Sequence, residues 1–348
     1  METILFLAHT EADGALPKAA FEALAAAKML ARGIKGASLV AGLVGSGVQP
    51  AADEVAPSGV QRILGVRGAE FGQSRYATDA AAAEALCRAA GASLIVAPGT
   101  SRWARTLPGV AHRIAGRIDT HATWVSITNG APVVNRWYYR QRMEAAITRS
   151  QRPWIILVDP GCIQPWTGAE GTGTVELVEV AVPDSARRTV VTGIEAPAAG
   201  EQTIRPDAEL LFVAGAGWTK KQSDGQTHVP DAERLILDFL HHSQASLGGS
   251  KSLVDLSGDW QAILRFMTHL NQVGQTGSTP RHPRGLATCC FGEEPHVVGW
   301  RFVNERRAIN LDPNCGWARG KADVLYVADA FEVMDRVNAL LSSASPRP

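Results

Sequence analysis

The alternation of short apolar runs with longer alanine-rich runs in the first third of the chain most constrains its fold. Thr3–Ala8 has the length and composition of a buried parallel strand. Pro17 then opens an alanine-rich segment with apolar residues at helical spacing, which predicts a helix to about Arg32. The same pattern predicts strands at Ala37–Leu43, Val60–Val66 and Ser93–Ala97, and helices at Ala51–Ser58, Ala77–Gly91 and Leu107–Arg117. Strands that alternate with helices of this length predict parallel βαβ units.

The pattern changes after Thr120, where short predicted strands follow one another with polar turns between them. These strands are Thr123–Thr128, Pro132–Arg136, Tyr138–Ile147, Trp154–Val158 and Val175–Val182. Pro183–Pro206 contains three prolines and is the best candidate for a linker. Since a chain of 348 residues usually holds two domains, we assign an N-terminal domain to residues 1–190, a linker to 191–206 and a C-terminal domain to 207–348.

The second half of the chain shows the same alternation of strands and helices. After an apolar strand at Glu209–Ala214, we expect a helix that is capped by Asp231, runs to about Leu247 and ends at Gly248-Gly249. Further strands are predicted at Leu286–Cys290, Arg307–Asn310 and Leu325–Asp329, and further helices at Gly292–Trp300 and Phe331–Ser343. The predicted fold class is therefore α/β, with two α/β domains, of which the C-terminal one is a doubly wound parallel sheet.

Two polar stretches of the second domain have the composition of ligand-binding turns. Gln272–Gly277 reads Gln-Val-Gly-Gln-Thr-Gly, and Ala308–Pro313 reads Ala-Ile-Asn-Leu-Asp-Pro. Glycine lets a backbone approach a ligand closely, and successive N–H groups in such a turn can bind an anion. The second stretch puts polar side chains just past a strand, where open α/β sheets bind their ligands. Either stretch alone also suits an ordinary turn.

Charge and hydropathy argue against several classes of protein. Lys+Arg and Asp+Glu both number 34, so the formal net charge is zero and there is no basic excess typical of nucleic-acid binding. No apolar run is long enough for a transmembrane helix. The first residues lack the basic region of a signal peptide. A nucleotide hydrolase is disfavoured because the chain has neither a Gly-x-x-x-x-Gly-Lys-[Ser/Thr] loop nor a Gly-x-Ser-x-Gly elbow.

The five cysteines form no Cys-x-x-Cys pair. They are Cys87, Cys162, Cys289, Cys290 and Cys315. We expect free thiols in a reducing cytosol, and therefore a cytoplasmic protein. The last three lie near the polar stretches, which leaves metal or thiol chemistry open beside a simple role as core thiols. Because no His or Cys partner stands at ligand spacing, we predict no metal site.

The two polar stretches, in this order and at this spacing, resemble the alpha subunit of electron transfer flavoproteins. Gln272–Gly277 is an intact copy of that family's flavin-contacting signature, and Ala308–Pro313 resembles its Ala-Ile-Asn-Lys-Asp-Pro stretch. Between them, Gly292 and His296 stand in register with the family's Gly-Ile-Ser-Gly-Ala-Ile-Gln-His stretch. Upstream, Ala214–Gly217 and Gly248–Lys251 resemble its Gly-Gly-Arg-Gly and Gly-Ala-Ser-Arg stretches. The resemblance extends over nearly the whole chain.

The resemblance implies that the C-terminal domain binds one FAD, and that the protein carries electrons without a catalytic residue of its own. The implied FAD-binding residues are Ser250, Lys251, Gln272, Val273, Gly274, Gln275, Thr276, Gly277, Phe291, Gly292, Glu293, Glu294, Pro295, His296, Asn310 and Asp329. Among them, the Thr276 hydroxyl is implied to bond flavin N5, although a turn hydroxyl is the simpler interpretation. His296 is implied to lie at the pyrimidine end of the ring, Ser250 at a phosphate and Asp329 on the adenosine side.

Three residues inside the implied site depart from the family pattern. They are Ala216 and Lys251, where the family has Arg, and Phe291, where it has Ser. Lys220 or Lys221 is the candidate to supply the charge missing at position 216. Lysine at position 251 keeps the positive charge but loses the planar fork of arginine. Glu293-Glu294 adds two acids, which oppose a pyrophosphate at a helix N-terminus.

These departures leave two functions open. In the first, the chain binds FAD and shuttles electrons from a flavin-dependent dehydrogenase or demethylase to a downstream acceptor. In the second, it is a partner-binding subunit of a redox complex that has lost or weakened its FAD. The resemblance implies a heterodimer with a beta subunit that carries AMP or a second flavin. The aromatic and basic segment Arg136–Arg140 is either an anchor at that interface or a half-buried strand.

Overall fold

A computed structural model describes residues 2–138, 143–169, 171–193, 204–205, 208–254, 262–274, 279, 281–289, 302–313 and 322–343. The chain divides into two compact units, Met1–Ile194 (unit 1) and Glu195–Pro348 (unit 2). Each unit is built on its own sheet with helices packed against it, so the predicted fold class of two α/β domains is confirmed. No helix within the described ranges is long and apolar enough to cross a membrane.

Unit 1 contains a nine-stranded sheet. Its strands are β1 (Thr3–His9), β2 (Ser38–Gly45), β3 (Arg62–Arg67), β4 (Leu94–Pro98), β5 (Arg117–Thr128), β6 (Ala131–Tyr138), β7 (Met143–Ile147), β8 (Trp154–Val158) and β9 (Val175–Leu177). Their order in the sheet is β7-β6-β5-β8-β4-β1-β2-β3-β9. β6 is antiparallel to β5 and β7, and the remaining neighbours pair in parallel. The antiparallel strands therefore extend a parallel sheet at one side.

The helices of unit 1 cover both faces of its sheet. They are α1 (Lys18–Gly33), α2 (Gln49–Val55), α3 (Ala69–Gly72), α4 (Tyr76–Ala90) and α5 (Ser101–Arg113). Along β1, Ile4 and Phe6 face the core that contains α1, whereas Leu5 and Leu7 face the core that contains α4 and α5. Alternate residues of a strand point to opposite faces. A strand buried on both sides is apolar throughout, which explains the unbroken run at the start of the chain.

Helix α5 begins earlier than the predicted start at Leu107 and ends before Arg117, which belongs to β5. The Oγ1 atom of Thr100 accepts a hydrogen bond from the Trp103 backbone N–H at 3.3 Å, and so caps the helix. The predicted bounds were wrong because Pro98-Gly99-Thr100 reads as a loop while Pro108 interrupts the helical pattern. The cap decides where the helix starts.

Unit 2 contains a five-stranded sheet in which every pairing is parallel. Its strands are β10 (Leu210–Ala214), β11 (Ser246–Gly249), β12 (His282–Thr288), β13 (Val303–Asn310) and β14 (Val324–Val327). Their order is β11-β10-β12-β13-β14. Its α-helices in the described ranges are α6 (Val229–Ser243), α7 (Lys251–Val254) and α8 (Ala330–Ser343). Apolar residues of α6 and α8 share one core with Phe212 and Ile309, so both helices lie on the same face of the sheet.

The helix predicted to run from Asp231 to Leu247 is wrong at both ends. His228 stands at the N-cap position, and Asp231 lies in the first turn. The helix ends at Ser243 because Gln244 adopts a left-handed backbone with φ of 55°. Ser246–Gly249 is instead strand β11, all four of its residues being buried. A short segment buried on every side has the same hydropathy in a helix or a strand, and only its pairing with β10 distinguishes them.

Candidate functional site

The carboxyl ends of the unit 2 strands form one edge, which we call the carboxyl edge. The last residues of neighbouring strands are in register: Ala214 of β10 pairs with Gly249 of β11 and with Thr288 of β12. Numbered along the chain, the strand order is 2-1-3-4-5. In that order the chain leaves the first strand, β10, toward one side of the sheet and the third strand, β12, toward the other side. A crevice therefore opens between β10 and β12. Ligands of open α/β sheets bind in such a crevice.

The turn after β10 lies directly against the end of β12. The backbone N–H of Gly215 donates to the Thr288 carbonyl oxygen at 2.8 Å, and that of Gly217 donates to the Cys289 carbonyl oxygen at 2.8 Å. A Cβ atom at either glycine would stand 2.5 Å from the Cys289 carbonyl oxygen, so only glycine permits this contact. Between them Ala216 is 3% exposed and brings no charge to the edge.

Ser250 and Lys251 follow β11 at the same edge. The Ser250 N–H donates to the Ala214 carbonyl oxygen at 2.9 Å, and its Oγ accepts from the Leu253 N–H at 3.2 Å. Ser250 therefore fixes the turn between β11 and the short helix α7. Lys251 is exposed and follows Ser250 directly in the chain.

The first half of the Gln272–Gly277 stretch runs beside β11. Gln272 forms a parallel bridge with Gly249, and the Val273 N–H donates to the Gly249 carbonyl oxygen at 3.1 Å. The Val273 side chain is 7% exposed and packs in a core cluster of unit 2, so it is the backbone of this residue that meets the edge. Gly274 has a φ of 82° and donates its N–H to Thr279 Oγ1 at 2.7 Å. That threonine was absent from the sequence prediction.

Asn310 is the last residue of β13, and Asp329 follows β14. The side-chain amide of Asn310 donates to the Asp312 carbonyl oxygen at 3.0 Å, and the residue is 5% exposed. The Oδ1 atom of Asp329 accepts from the Phe331 N–H at 2.8 Å and so caps helix α8. Both side chains therefore hold the turns that follow their strands.

The carboxyl edge brings together the predicted site residues that the structure describes. They are Ser250, Lys251, Gln272, Val273, Gly274, Asn310 and Asp329. The remaining predicted residues lie outside the described residues, as does the whole of the helix predicted at Gly292–Trp300: they are Gln275, Thr276, Gly277, Phe291, Gly292, Glu293, Glu294, Pro295 and His296. In the described part of the chain, no cluster of His, Cys, Asp and Glu side chains is arranged to hold a metal ion.

Two residues that the sequence reasoning overlooked lie beneath this edge. Trp218 is fully buried, and its Nε1–H donates to Thr288 Oγ1 at 2.9 Å. The only local signal is a tryptophan directly after a Gly-Ala-Gly turn, where a surface loop would carry a polar residue. Thr288 gives no signal because a threonine at the end of a strand is ordinary.

The carboxyl edge of the unit 1 sheet is linked by its own side chains. His9 Nε2 lies 3.2 Å from Thr100 Oγ1, joining the ends of β1 and β4. Burial lowers the pKa of His9 to about 4, with the Arg102 charge as a second cause, so this imidazole is neutral at physiological pH. Arg102 itself pairs with the buried Asp79 at 2.6 Å. Burial raises the pKa of Asp79 although this pairing opposes the shift.

One family model matches the chain. Its description is electron transfer flavoprotein domain, and the match covers residues 4–185, just over half of the sequence. No curated protein matches the chain. The matched range lies within unit 1, whereas the carboxyl edge described above belongs to unit 2.

Proposed function

Because the chain belongs to the electron transfer flavoprotein family, we propose that it is an alpha subunit that binds one FAD in unit 2. In this role it passes electrons from a flavin-dependent dehydrogenase or demethylase to a downstream acceptor. One juxtaposition carries the proposal: Gln272–Gly274 and Asn310–Pro313, which resemble alpha-subunit signatures, lie at the same edge of one parallel sheet. They are distant in sequence, so an ordinary turn does not account for both.

The carboxyl edge has dimensions and chemistry that suit a dinucleotide. Ser250 and Asp329 follow the first and last of five neighbouring strands, so roughly 19 Å separates them, at about 4.8 Å per strand spacing. A ligand that contacts both ends must be long. Gly215 and Gly217 let the turn after β10 lie against the end of β12 without a Cβ atom between them, and Lys251 adds a positive charge.

Bound FAD supplies the one- and two-electron chemistry, and the chain binds and orients it. In this role the Lys251 ammonium would stabilise negative charge on the reduced ring. Ser250, Asn310 and Asp329 hold the turns of the edge in shape through the hydrogen bonds described above. We propose that the N–H groups of those turns, rather than long side chains, form much of the contact with the phosphates.

The second candidate function is a partner-binding subunit with lost or weakened FAD. The observation in its favour is the turn after β10: Ala216 is buried there and brings no charge, where the family has Arg. In addition, the Asn310 and Asp329 side chains are already engaged by their own turns. Both functions include a heterodimer with a beta subunit, and both place the protein in the cytoplasm, where thiols such as Cys87 stay reduced.

The absorption spectrum of the chain, co-expressed with its beta subunit, distinguishes the two functions. The expected result is a yellow complex with the two flavin bands, from which denaturation releases FAD in addition to whatever the beta subunit carries. The beta subunit purified alone provides the reference for that second contribution. A complex whose FAD content equals that of the beta subunit alone contradicts the first function and supports the second.

A further inference from the structure

Trp218 projects from the turn after β10 back into the core of unit 2. It is fully buried and belongs to the apolar cluster on the face of the sheet that α6 and α8 cover. Its neighbour Thr219 is also buried and donates its Oγ1–H to the Ala216 carbonyl oxygen at 3.0 Å. The buried ring of Trp218 thus anchors the turn that contains Gly215 and Gly217 to the core of unit 2.

The indole of Trp218 contacts the residues that end or follow two other strands. Its Nε1–H donates to Thr288 Oγ1, the last residue of β12, at 2.9 Å. Thr288 Oγ1 in turn donates to the Val213 carbonyl oxygen of β10 at 3.3 Å. The centroid of the indole lies 4.5 Å from that of the Phe331 ring in the first turn of α8, at an interplanar angle of 55°.

These contacts connect Trp218 to the geometry of the carboxyl edge. The Thr288 backbone leads directly to Cys289, whose carbonyl oxygen receives the Gly217 N–H at 2.8 Å. Phe331 lies beside Asp329, which caps α8 at the far side of the edge. A buried indole N–H has no water to replace a lost acceptor, so the hydrogen bond to Thr288 fixes the ring orientation. A shift of that ring displaces the turn after β10 and the end of β12 together.

We infer that Trp218, held by Thr288, is a positioning residue for the flavin dinucleotide, because it sets the turn after β10 against the end of β12. The inference rests on the proposed function, because it concerns the same carboxyl edge. Trp218 makes no contact with the ligand itself in this role. It acts through the Gly215–Gly217 turn and the Cys289 carbonyl group.

The test uses isosteric variants of the full chain in complex with its beta subunit. Thr288→Val removes the hydroxyl acceptor with little change of volume, Trp218→Phe removes the indole N–H but keeps a ring, and Thr288→Ser restores an acceptor. Thr106→Val is the matched control, because Thr106 is equally buried and its hydroxyl donates to the Arg102 carbonyl oxygen at 2.8 Å in unit 1. Hydrogen exchange of residues 215–219 in the flavin-free protein and the FAD dissociation constant are measured.

For Thr288→Val and Trp218→Phe we expect amide exchange in residues 215–219 to accelerate about tenfold, and the FAD dissociation constant to rise about tenfold. Thr288→Ser should stay within about twofold of the unmodified protein in both, and Thr106→Val should change only the stability of unit 1. The inference is overturned if the first two variants lower the unfolding midpoint while exchange in residues 215–219 and FAD affinity stay unchanged.

The hydrogen-exchange measurement distinguishes a failure of this inference from a failure of the proposed function. If the unmodified complex holds no FAD in this chain, the proposed function fails. In that case unchanged exchange in residues 215–219 of the variants shows that Trp218 does not set the turn either. Accelerated exchange in both variants, with recovery in Thr288→Ser, supports the positional role of Trp218 even then.

Discussion

Lys251 is the described residue whose positive charge the proposed function uses at the carboxyl edge. It is exposed at the start of α7, directly after the buried Ser250. The family places a planar guanidinium at this position, and the ammonium of lysine keeps the charge without the fork of donors. A charge near the surface interacts weakly through water and is screened by salt. Its effect on a bound flavin is therefore modest and depends on ionic strength.

Replacing Lys251 should change the reduction potential of the bound FAD. Lys251→Gln removes positive charge, destabilises the negatively charged reduced ring and should lower the midpoint potential by on the order of 30 mV at low salt. Lys251→Arg should raise the potential or leave it unchanged. Lys35→Gln, at an exposed residue of unit 1, serves as the control. Potentiometric titration measures the shift, and equal potentials for Lys251→Gln and the control would contradict it.

Glu22 is a buried carboxyl group in unit 1. It lies on α1, and its Oε2 accepts from the Gly161 N–H at 2.7 Å in the segment after β8. Burial raises the pKa of Glu22 from its ordinary value of 4.5 to about 7, although backbone N–H groups and Lys18 oppose the shift. The folded state therefore binds a proton between pH 4.5 and 7 that the unfolded state has released.

The stability of unit 1 should depend on pH through Glu22. The pKa of Glu22 is higher in the folded state than in the unfolded state. Its contribution to the free energy of unfolding is therefore fully present below pH 4.5 and is lost as pH rises through about 7. The expected loss is about 3 kcal/mol at most. Glu22→Gln should reduce the dependence of the free energy of unfolding on pH over this range. Urea unfolding at a series of pH values measures it. Glu11→Gln, at an exposed residue, should leave the slope unchanged; an unaltered slope in Glu22→Gln would disprove the assignment.

At the scale of elements, the last two residues of strand β11, Gly248 and Gly249, must lack side chains. A Cβ atom at Gly248 would overlap Cγ2 of Val273, and one at Gly249 would overlap the methyl group of Met267. The segment that contains Gln272 therefore lies against β11 only because glycines stand there. The packing of these two elements brings the first half of the glycine-rich stretch to the carboxyl edge.

Gly248→Ala should destabilise unit 2 by about 1–3 kcal/mol, because the new methyl group forces Val273 away from β11. Adding Val273→Ala removes the overlapping atom, so the double variant should be more stable than the sum of the single effects predicts. Urea unfolding of the four proteins measures this coupling. Gly47→Ala is the control, as open space surrounds Gly47. Strictly additive effects at residues 248 and 273 would show that the contact does not matter.

At the scale of the whole molecule, each unit has its own sheet and its own apolar cores. The last segment of unit 1, as far as Thr189, is held to the rest of the unit by hydrogen bonds and ion pairs. Arg75 Nε donates to the Thr189 carbonyl oxygen at 2.7 Å, and Glu70 pairs with both Arg75 and Arg187, at 2.6 and 2.8 Å. Unit 1 therefore includes this returning segment as part of its structure.

A fragment of residues 1–194 should fold without unit 2, because its cores and ion pairs are internal. Its urea unfolding transition should coincide with one of the transitions of the full chain, monitored by circular dichroism. A shorter fragment of residues 1–177 should be less stable, since it lacks Val178, Val180 and Val182, which pack on the α4–α5 side of the sheet. An unfolded 1–194 fragment would contradict the independence of unit 1.

The sequence by itself determined the alternation of strands and helices, and with it the α/β class of both units, because each apolar run depends mainly on local burial. It also predicted the polar strand end at Asn310, since polar residues after an apolar run mark the end of a strand, whereas Ser250 and Asp329 were implied only by the resemblance to the family. The hydrogen-bond partners of Asn310 and Asp329 were not predicted.

Only the tertiary structure decided which segments pair. Ser246–Gly249 was predicted as the end of a helix, because its hydropathy does not reveal that β10 lies beside it. Hydropathy also did not predict that Val273 is a core side chain or that Trp218 packs beneath the carboxyl edge. Their roles depend on residues far away in sequence, such as Gly248 and Thr288. The local hydropathy pattern indicates how deeply a segment is buried, and the fold determines which residues it packs against.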